Sequence, residues 1–210
     1  MASTGFQVVP LTPEHWPALE DLFGPQGPCY GCWCNHFRMA PKLRKPLLGE
    51  GARQLFEQRV KEGPPPGVLA FLGDVPVGWL QIGPRAHVPE WNNPRRASTP
   101  LPDAPAQDER NWAASCFFVR KGFRGQGVTG ALLDGGIDFA RRSGARLLEA
   151  APMANETRRS GEGLYVGPES VFRRAGFAEV ARHKEGRPLL RLVLQCSQEA
   201  CCDLPDDLER

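Results

Sequence analysis

Apolar positions along this chain fall into short stretches, some alternating and some spaced three to four apart, and the spacing marks out the elements. Phe6 to Val9 reads as a strand. Thr12-Pro13-Glu14 then offers an N-cap, a proline at the first helical position and an early acid, so a helix is predicted to about Phe23. Segment 24–49, with Gly24-Pro25 and Gly27-Pro28, is predicted mostly as loop. Leu55, Phe56 and Val60 place a helix over Glu50 to Lys61, stopped by Gly63-Pro64-Pro65-Pro66. Val68 to Leu72 and Val75 to Ile82 are apolar runs joined by Gly73-Asp74, a dipeptide that accepts positive φ, and so form a hairpin. Residues 83–110 are rich in proline and lack periodicity, which predicts a long loop of the kind that carries function.

The second half alternates strand and helix. Trp112 to Val119 is an aromatic and β-branched run. Glycines follow it, and then the helical pattern Val128, Leu132, Leu133, Ile137, Ala140, closed by Gly144. Gly135-Gly136 inside that helix sacrifices about 1 kcal/mol each relative to Ala, which close packing on a sheet would explain. Arg146 to Ala150 is another short strand ending before Pro152, and Ala154 to Gly167 is irregular. Ser170 to Ala175 fits a short helix stopped at Gly176, followed by strands Phe177 to Ala181 and Leu189 to Leu194 around Gly186-Arg187-Pro188.

Composition narrows the class. A chain of 210 residues with 41% hydrophobic and 24% charged residues can bury one sizeable core, while 21 Pro and 23 Gly predict long irregular connections. A net charge of +2 with scattered arginines makes no case for nucleic acid. No run approaches eighteen apolar residues and Met1-Ala2-Ser3-Thr4 lacks a secretory pattern, so a cytoplasmic protein without membrane contact is expected. The seven cysteines, among them Cys29, Cys32, Cys34 and Cys116, then read as reduced thiols.

The turn Arg124-Gly125-Gln126-Gly127-Val128-Thr129-Gly130 carries the clearest chemistry. A pyrophosphate needs converging backbone N–H donors, and a glycine-rich turn opening a helix supplies them with the positive end of the helix dipole. A plain strand-to-helix turn also favours glycine. The Gly-Lys-Ser/Thr ending of a P-loop is absent, and the early G-x-G-x-x-G of a dinucleotide fold is not met.

From Val119 through Leu133, the chain resembles the pyrophosphate loop of the GNAT acetyltransferases, Arg/Gln-x-x-Gly-x-Gly/Ala after a strand. Pro76-Val77-Gly78-Trp79 is similar to the family's third strand and Phe172-Arg173-Arg174-Ala175-Gly176-Phe177 to its last-helix ending. Thr129 departs from the Gly or Ala preferred there. The resemblance implies one α/β GNAT domain over 1–195, a mixed, mostly antiparallel sheet with a splayed central parallel pair flanked by helices, and an acidic tail over 196–210. It implies transfer of acetyl from acetyl-CoA to a primary amine of a small molecule by direct attack in a ternary complex, with no metal. Phe117, Phe118 and Val119 are assigned to the pantetheine arm, and Arg124, Gly125, Gln126, Gly127, Val128 and Thr129 to the pyrophosphate. The thioester is expected near Cys116 and Phe117, and an oxyanion-binding N–H near Val119. A homodimer is compatible with this reading.

Catalytic residues are less legible. The family's tyrosine four residues before the Gly-Phe pair is Phe172 here, so Tyr165 is the candidate acid, with packing as its plainer role. Glu149, the acid within strand 146–150, is a candidate for catalysis or for a structural partner such as an arginine. Asp108 and Glu109, just before strand 112–119, could reach the amine through water, with a solvated loop pair as the plainer reading. Cys29-Tyr30-Gly31-Cys32-Trp33-Cys34-Asn35-His36 is ligand-like in composition, but its potential ligands fall within eight residues rather than two knuckles. Trp33, Cys34, Phe37 and Trp79 are expected to line the acceptor pocket, and bacterial family members with a Cys-Trp-Cys segment are similar here. A non-catalytic acyl-CoA-binding or sensing module and a zinc or redox protein built on Cys29 to Cys34 stay open as alternatives.

Overall fold

The protein is described by a computed structural model covering residues 5–154, 164–184 and 186–194. The predicted tail 196–210 and the 155–163 part of the irregular stretch lie outside the described residues. The elements are β1 (Phe6–Pro10), α1 (Trp16–Phe23), two single turns α2 (Pro28–Gly31) and α3 (Pro41–Arg44), α4 (Glu50–Glu62), β2 (Gly67–Leu72) and β3 (Val75–Pro84). There follow β4 (Asn111–Val119), α5 (Val128–Arg142), β5 (Leu147–Ala150), α6 (Glu169–Arg174), β6 (Ala178–Lys184) and β7 (Arg187–Val193). Thr12 does not cap a helix: its hydroxyl donates to Glu14 and meets His15 Nδ1, both at 3.0 Å, and a 3-10 turn precedes α1.

Among the described residues seven strands form one sheet in the order β1-β2-β3-β4-β5-β7-β6. All neighbours are antiparallel except β4 and β5. That parallel pair is short, running from Asn111↔Leu147 to Ala114↔Ala150. Two local features end it. Ser115 is an extra residue in β4, since Gln81 faces Cys116 while Ile82 faces Ala114, and such a bulge turns the strand. On the other side, Pro152 has no N–H with which to extend the ladder.

Helix α5 covers one face of the sheet. Its apolar stripe, Val128, Leu132, Leu133, Ile137 and Ala140, packs with Leu80, Ile82, Ala114, Phe117 and Leu148. The approach is close enough to need glycine: a Cβ on Gly135 would lie 2.5 Å from Val8, and one on Gly136 2.8 Å from Leu80. The opposite face carries two further cores. One, under α1 and α4, joins Trp16, Trp33, Phe56 and Trp79. The other, under the 83–110 connection, joins Phe37, Trp91, Ala113, Val166 and Leu189. Among the described residues no helix is long and apolar enough to cross a membrane.

Candidate functional site

Beyond Ala114 the β4 backbone has β3 on one side and has parted from β5 on the other. Among the described residues the edge from Ala114 to Val119 has no strand paired to it on that side, and it extends roughly 16 Å at the usual rise per residue. It leads into the glycine turn at the start of α5, where Gly125 and Gly127 have φ of 77° and 87°. A Cβ at either position, or at Gly130, would meet nothing within 4 Å. The turn is therefore an open cradle. Gly127 is the N-cap and supplies no side-chain cap, so the first N–H groups of this 15-residue helix lack a capping side chain. Arg124 and Gln126 fold back on the turn, donating to Val119 O at 3.2 Å and Gly122 O at 2.9 Å. Val128 is buried and Thr129 half-buried. Of the residues assigned to the pyrophosphate, Arg124 to Gly127 form an exposed turn and Val128 and Thr129 the first turn of α5, a geometry that suits an anion.

Phe117 and Phe118 point to opposite faces. Phe117 packs edge-on against Phe172, 5.9 Å between centroids, and Phe118 against Phe23 at 5.3 Å. Their rings serve the cores, and only their backbone borders the free edge. Phe172 is fully buried among Phe117 and Phe177.

The Cys-rich loop crosses the face opposite α5. Cys29, Tyr30, Trp33 and Cys34 all have left-handed φ, between 42° and 63°, a conformation unfavourable for non-glycine residues; Trp33 and Cys34 are buried in it, whereas Cys29 and Tyr30 are exposed. Trp33 stacks on Trp16 at 6.0 Å and meets Phe23 at 5.4 Å. Trp79 donates from Nε1 to Cys34 Sγ at 3.0 Å. With Trp33 2% and Trp79 0% exposed, both indoles are spent on packing and carry the loop from beneath. Cys34 also reaches the Cys116 thiol; that hydrogen bond and burial raise Cys116 well above the ordinary thiol range. Cys29, which is exposed, is lowered to about 7 by a hydrogen bond from Cys32, while Cys32 is raised by the same contact and by burial. All four are free thiols, and no group of three or more His, Cys, Asp or Glu forms a metal site among the described residues.

Phe37 and Tyr165 come together at the end of the loop. Their rings are 6.4 Å apart, and Tyr165 stands 5.7 Å from His36. Tyr165 belongs to a turn, Leu164–Val166, that packs on β4, and the following Gly167 lies against Phe117. The aromatic corner therefore sits beside the part of β4 that β5 has left.

Glu149 faces the same side of the sheet but is closed off. It is 0% exposed and paired with Arg85, itself 0% exposed, and with Arg191 Nη2 at 2.7 Å and Nε at 2.9 Å. Arg85 is held further by Asn92 Oδ1 at 3.0 Å, Ser98 Oγ at 3.2 Å and the Trp91 ring at 4.8 Å. A carboxylate holding two guanidiniums is a structural anchor by its contacts. Asp108 pairs with Arg110 at 3.1 Å, in keeping with a solvated loop acid.

Gln81, Arg38 and Arg44 are further residues of this face, outside the candidates that the sequence marks. Gln81 is a polar side chain in the apolar run Val75 to Ile82, which was a usable signal; it is 2% exposed, and its Nε2 has no partner among the described residues. The arginines of a loop gave no comparable signal.

A model of the Acetyltransferase (GNAT) family matches residues 31–169. A search of curated proteins found no match. Among solved structures, the GNAT domain of S. lividans PAT is 17% identical with a TM-score of 0.52, covering 90% of this chain and 90% of that chain. An N-acetyltransferase from Staphylococcus aureus Mu50 is 16% identical with a TM-score of 0.51, covering 90% of this chain and 99% of that one. At these identities the likeness is one of fold.

Proposed function

The chain belongs to the GNAT acetyltransferase family, and from that premise we propose that it moves an acetyl group from acetyl-CoA to a primary amine of a small molecule, both substrates being bound together. The observation that carries the reading is the parting of β4 from β5 after Ala114 and Ala150, in line with the open turn at Gly125 and Gly127. A pyrophosphate resting on residues 124–129 would face unpaired N–H groups and the helix dipole. The backbone of Phe117, Phe118 and Val119 is then free to pair with a pantetheine amide, which directs the thioester toward Cys116.

In this reading the neutral amine attacks the thioester carbonyl, forming C–N and breaking C–S. Its surplus proton leaves through water, a backbone N–H near Val119 steadies the oxyanion, and the departing thiolate takes a proton, for which we assign the Tyr165 phenol. Glu149 is assigned to positioning, since both its oxygens already accept from arginines. Phe37 and the Cys34 region border the acceptor. Binding without catalysis is the second reading, and it draws on Phe172, which offers no phenol.

Gly127→Glu tests the cradle, because the new side chain would enter the space the pyrophosphate needs, while the left-handed strain, about 1–2 kcal/mol, leaves the fold standing. Calorimetry should show CoA affinity lost by at least about a hundredfold, with an unchanged circular dichroism spectrum. Undiminished affinity would refute the assignment. Free-thiol release from acetyl-CoA across an amine panel tests turnover, and CoA binding with no turnover on any amine would favour the second reading.

A further inference from the structure

Three buried side-chain nitrogens have no hydrogen-bond partner among the described residues: Arg38 Nε, Arg44 Nε and Gln81 Nε2. All three are donors. Unpaired buried donors are costly and uncommon, and each calls for an acceptor. All three belong to the side of the sheet opposite α5. Gln81 stands two residues along β3 from Trp79, whose indole donates to Cys34 and meets the Phe56 ring at 5.9 Å, with the Arg38 guanidinium 6.0 Å from the centroid of that ring. Arg44 Nη1 is bonded to His36 Nδ1, beside Phe37 and Tyr165.

Among the described residues no carboxylate forms an ion pair with Arg38, Arg44 or Arg59, so the layer carries a surplus of positive charge even though Glu90 meets Arg96. Arg59 adds its charge to that of Arg38, and Arg96 adds its charge to that of Arg44. Burial, then Arg44 and Arg96, bring His36 down to about 4, and burial, then Arg38 and Arg59, lower His87. Both imidazoles are therefore neutral at pH 7 and add no charge. Of the acids nearby, Glu90 offsets Arg96 alone at 3.1 Å, while Glu57 is engaged with Arg53 and Lys61 and Glu149 with Arg85 and Arg191. Glu109 reaches His87, where two arginines outweigh it.

We propose that this layer recognises an oxyanion on the acceptor, a carboxylate or phosphate a few bonds from the amine, with Arg38 and Arg44 meeting its charge and the Gln81 amide donating to one oxygen. The proposal rests on the acetyl-transfer reading, which makes the ligand of this face the acceptor. Guanidinium forks suit both oxyanions. Polyamines and other cationic amines would be repelled.

The test uses the full chain saturated with CoA and calorimetry on matched compounds: N-acetyl amino acids against their carboxamides, and phosphoethanolamine against ethanolamine. An anionic member should bind at least about tenfold tighter than its neutral partner, and the arm that shows this identifies carboxylate or phosphate. Arg44→Gln and Arg38→Gln should each cut the preference by about tenfold. Gln81→Leu, close in volume, should weaken the anion alone, which keeps the proposal testable if an arginine variant fails to fold. Equal binding of charged and neutral members, tighter binding of the neutral members, no binding by any anionic member, or a preference that survives Arg38→Gln with Arg44→Gln would overturn it. Failure of the parent protein to bind CoA would instead strike the acetyl-transfer reading, and the same pairs would then be compared without CoA.

Discussion

Replacing Glu149 by Gln keeps the shape of the side chain and removes one buried charge. In the parent, Glu149 accepts from Arg85 and from Arg191, the latter at 2.7 and 2.9 Å. Arg191 would keep a charged partner in Asp103 at 2.6 Å. Arg85 would not. It is 0% exposed, burial pushes its pKa down, and Glu149 is what offsets that effect. After the substitution its partners are Asn92, Ser98 and the Trp91 ring, all neutral. Breaking a buried pair from one side costs about 3–5 kcal/mol. For a domain of this size each kcal/mol shifts Tm by about 2–4 °C, so Glu149→Gln should melt roughly 6–20 °C below the parent. Scanning calorimetry of both proteins without CoA measures this directly. The double change Arg85→Met with Glu149→Leu should recover much of the loss, because an apolar pair of similar volume leaves no stranded charge. A Glu149→Gln protein within about 1 kcal/mol of the parent would refute the structural role. Turnover lost at unchanged stability would move Glu149 into proton transfer.

Two further outcomes follow from local geometry. Alkylation of Cys29, followed by peptide mass spectrometry, should titrate with a midpoint of about 7, since its thiolate accepts a hydrogen bond from Cys32 and thiolate is the reactive form. The rate should rise as pH passes upward through that value. In Cys32→Ala the midpoint should return toward 9, and an unshifted midpoint would show that the contact is not responsible. Gly135→Ala should destabilise by about 1–2 kcal/mol, because forcing an extra methyl into a packed contact outweighs the helix-propensity gain. The new Cβ would fall 2.5 Å from Val8, whereas one at Gly130 meets open space. Gly130→Ala should therefore be neutral or stabilising in denaturant melts, and equal effects at the two sites would contradict the packing described.

Much of this protein was legible locally. The spacing of Val128, Leu132, Leu133 and Ile137 located α5, Gly73-Asp74 located the β2–β3 turn, and Gly125 and Gly127 marked a turn in which positive φ is needed. These signals act over a few residues, through side-chain period, φ preference and the missing N–H of proline. Other features arise where distant segments meet. The insertion of β7 between β5 and β6, and the bulge at Ser115 that helps part β4 from β5, depend on which strands become neighbours. Glu149 read either as a catalytic acid or as the partner of an arginine, and that the arginines meeting it are Arg85, sixty-four positions away, and Arg191 is decided by the fold. Trp33 and Trp79 were candidates for pocket walls, with a strand core as the plainer reading of Trp79, and the fold places both indoles inward, against Trp16 and Cys34. Gln81 was visible as one polar residue in an apolar strand, but that its amide lacks a partner is a property of everything packed around it. Burial and hydrogen-bond satisfaction are sums over neighbours that the chain supplies only after folding, so the elements and the glycine cradle belong to the sequence, and the chemistry of the acceptor face belongs to the tertiary structure.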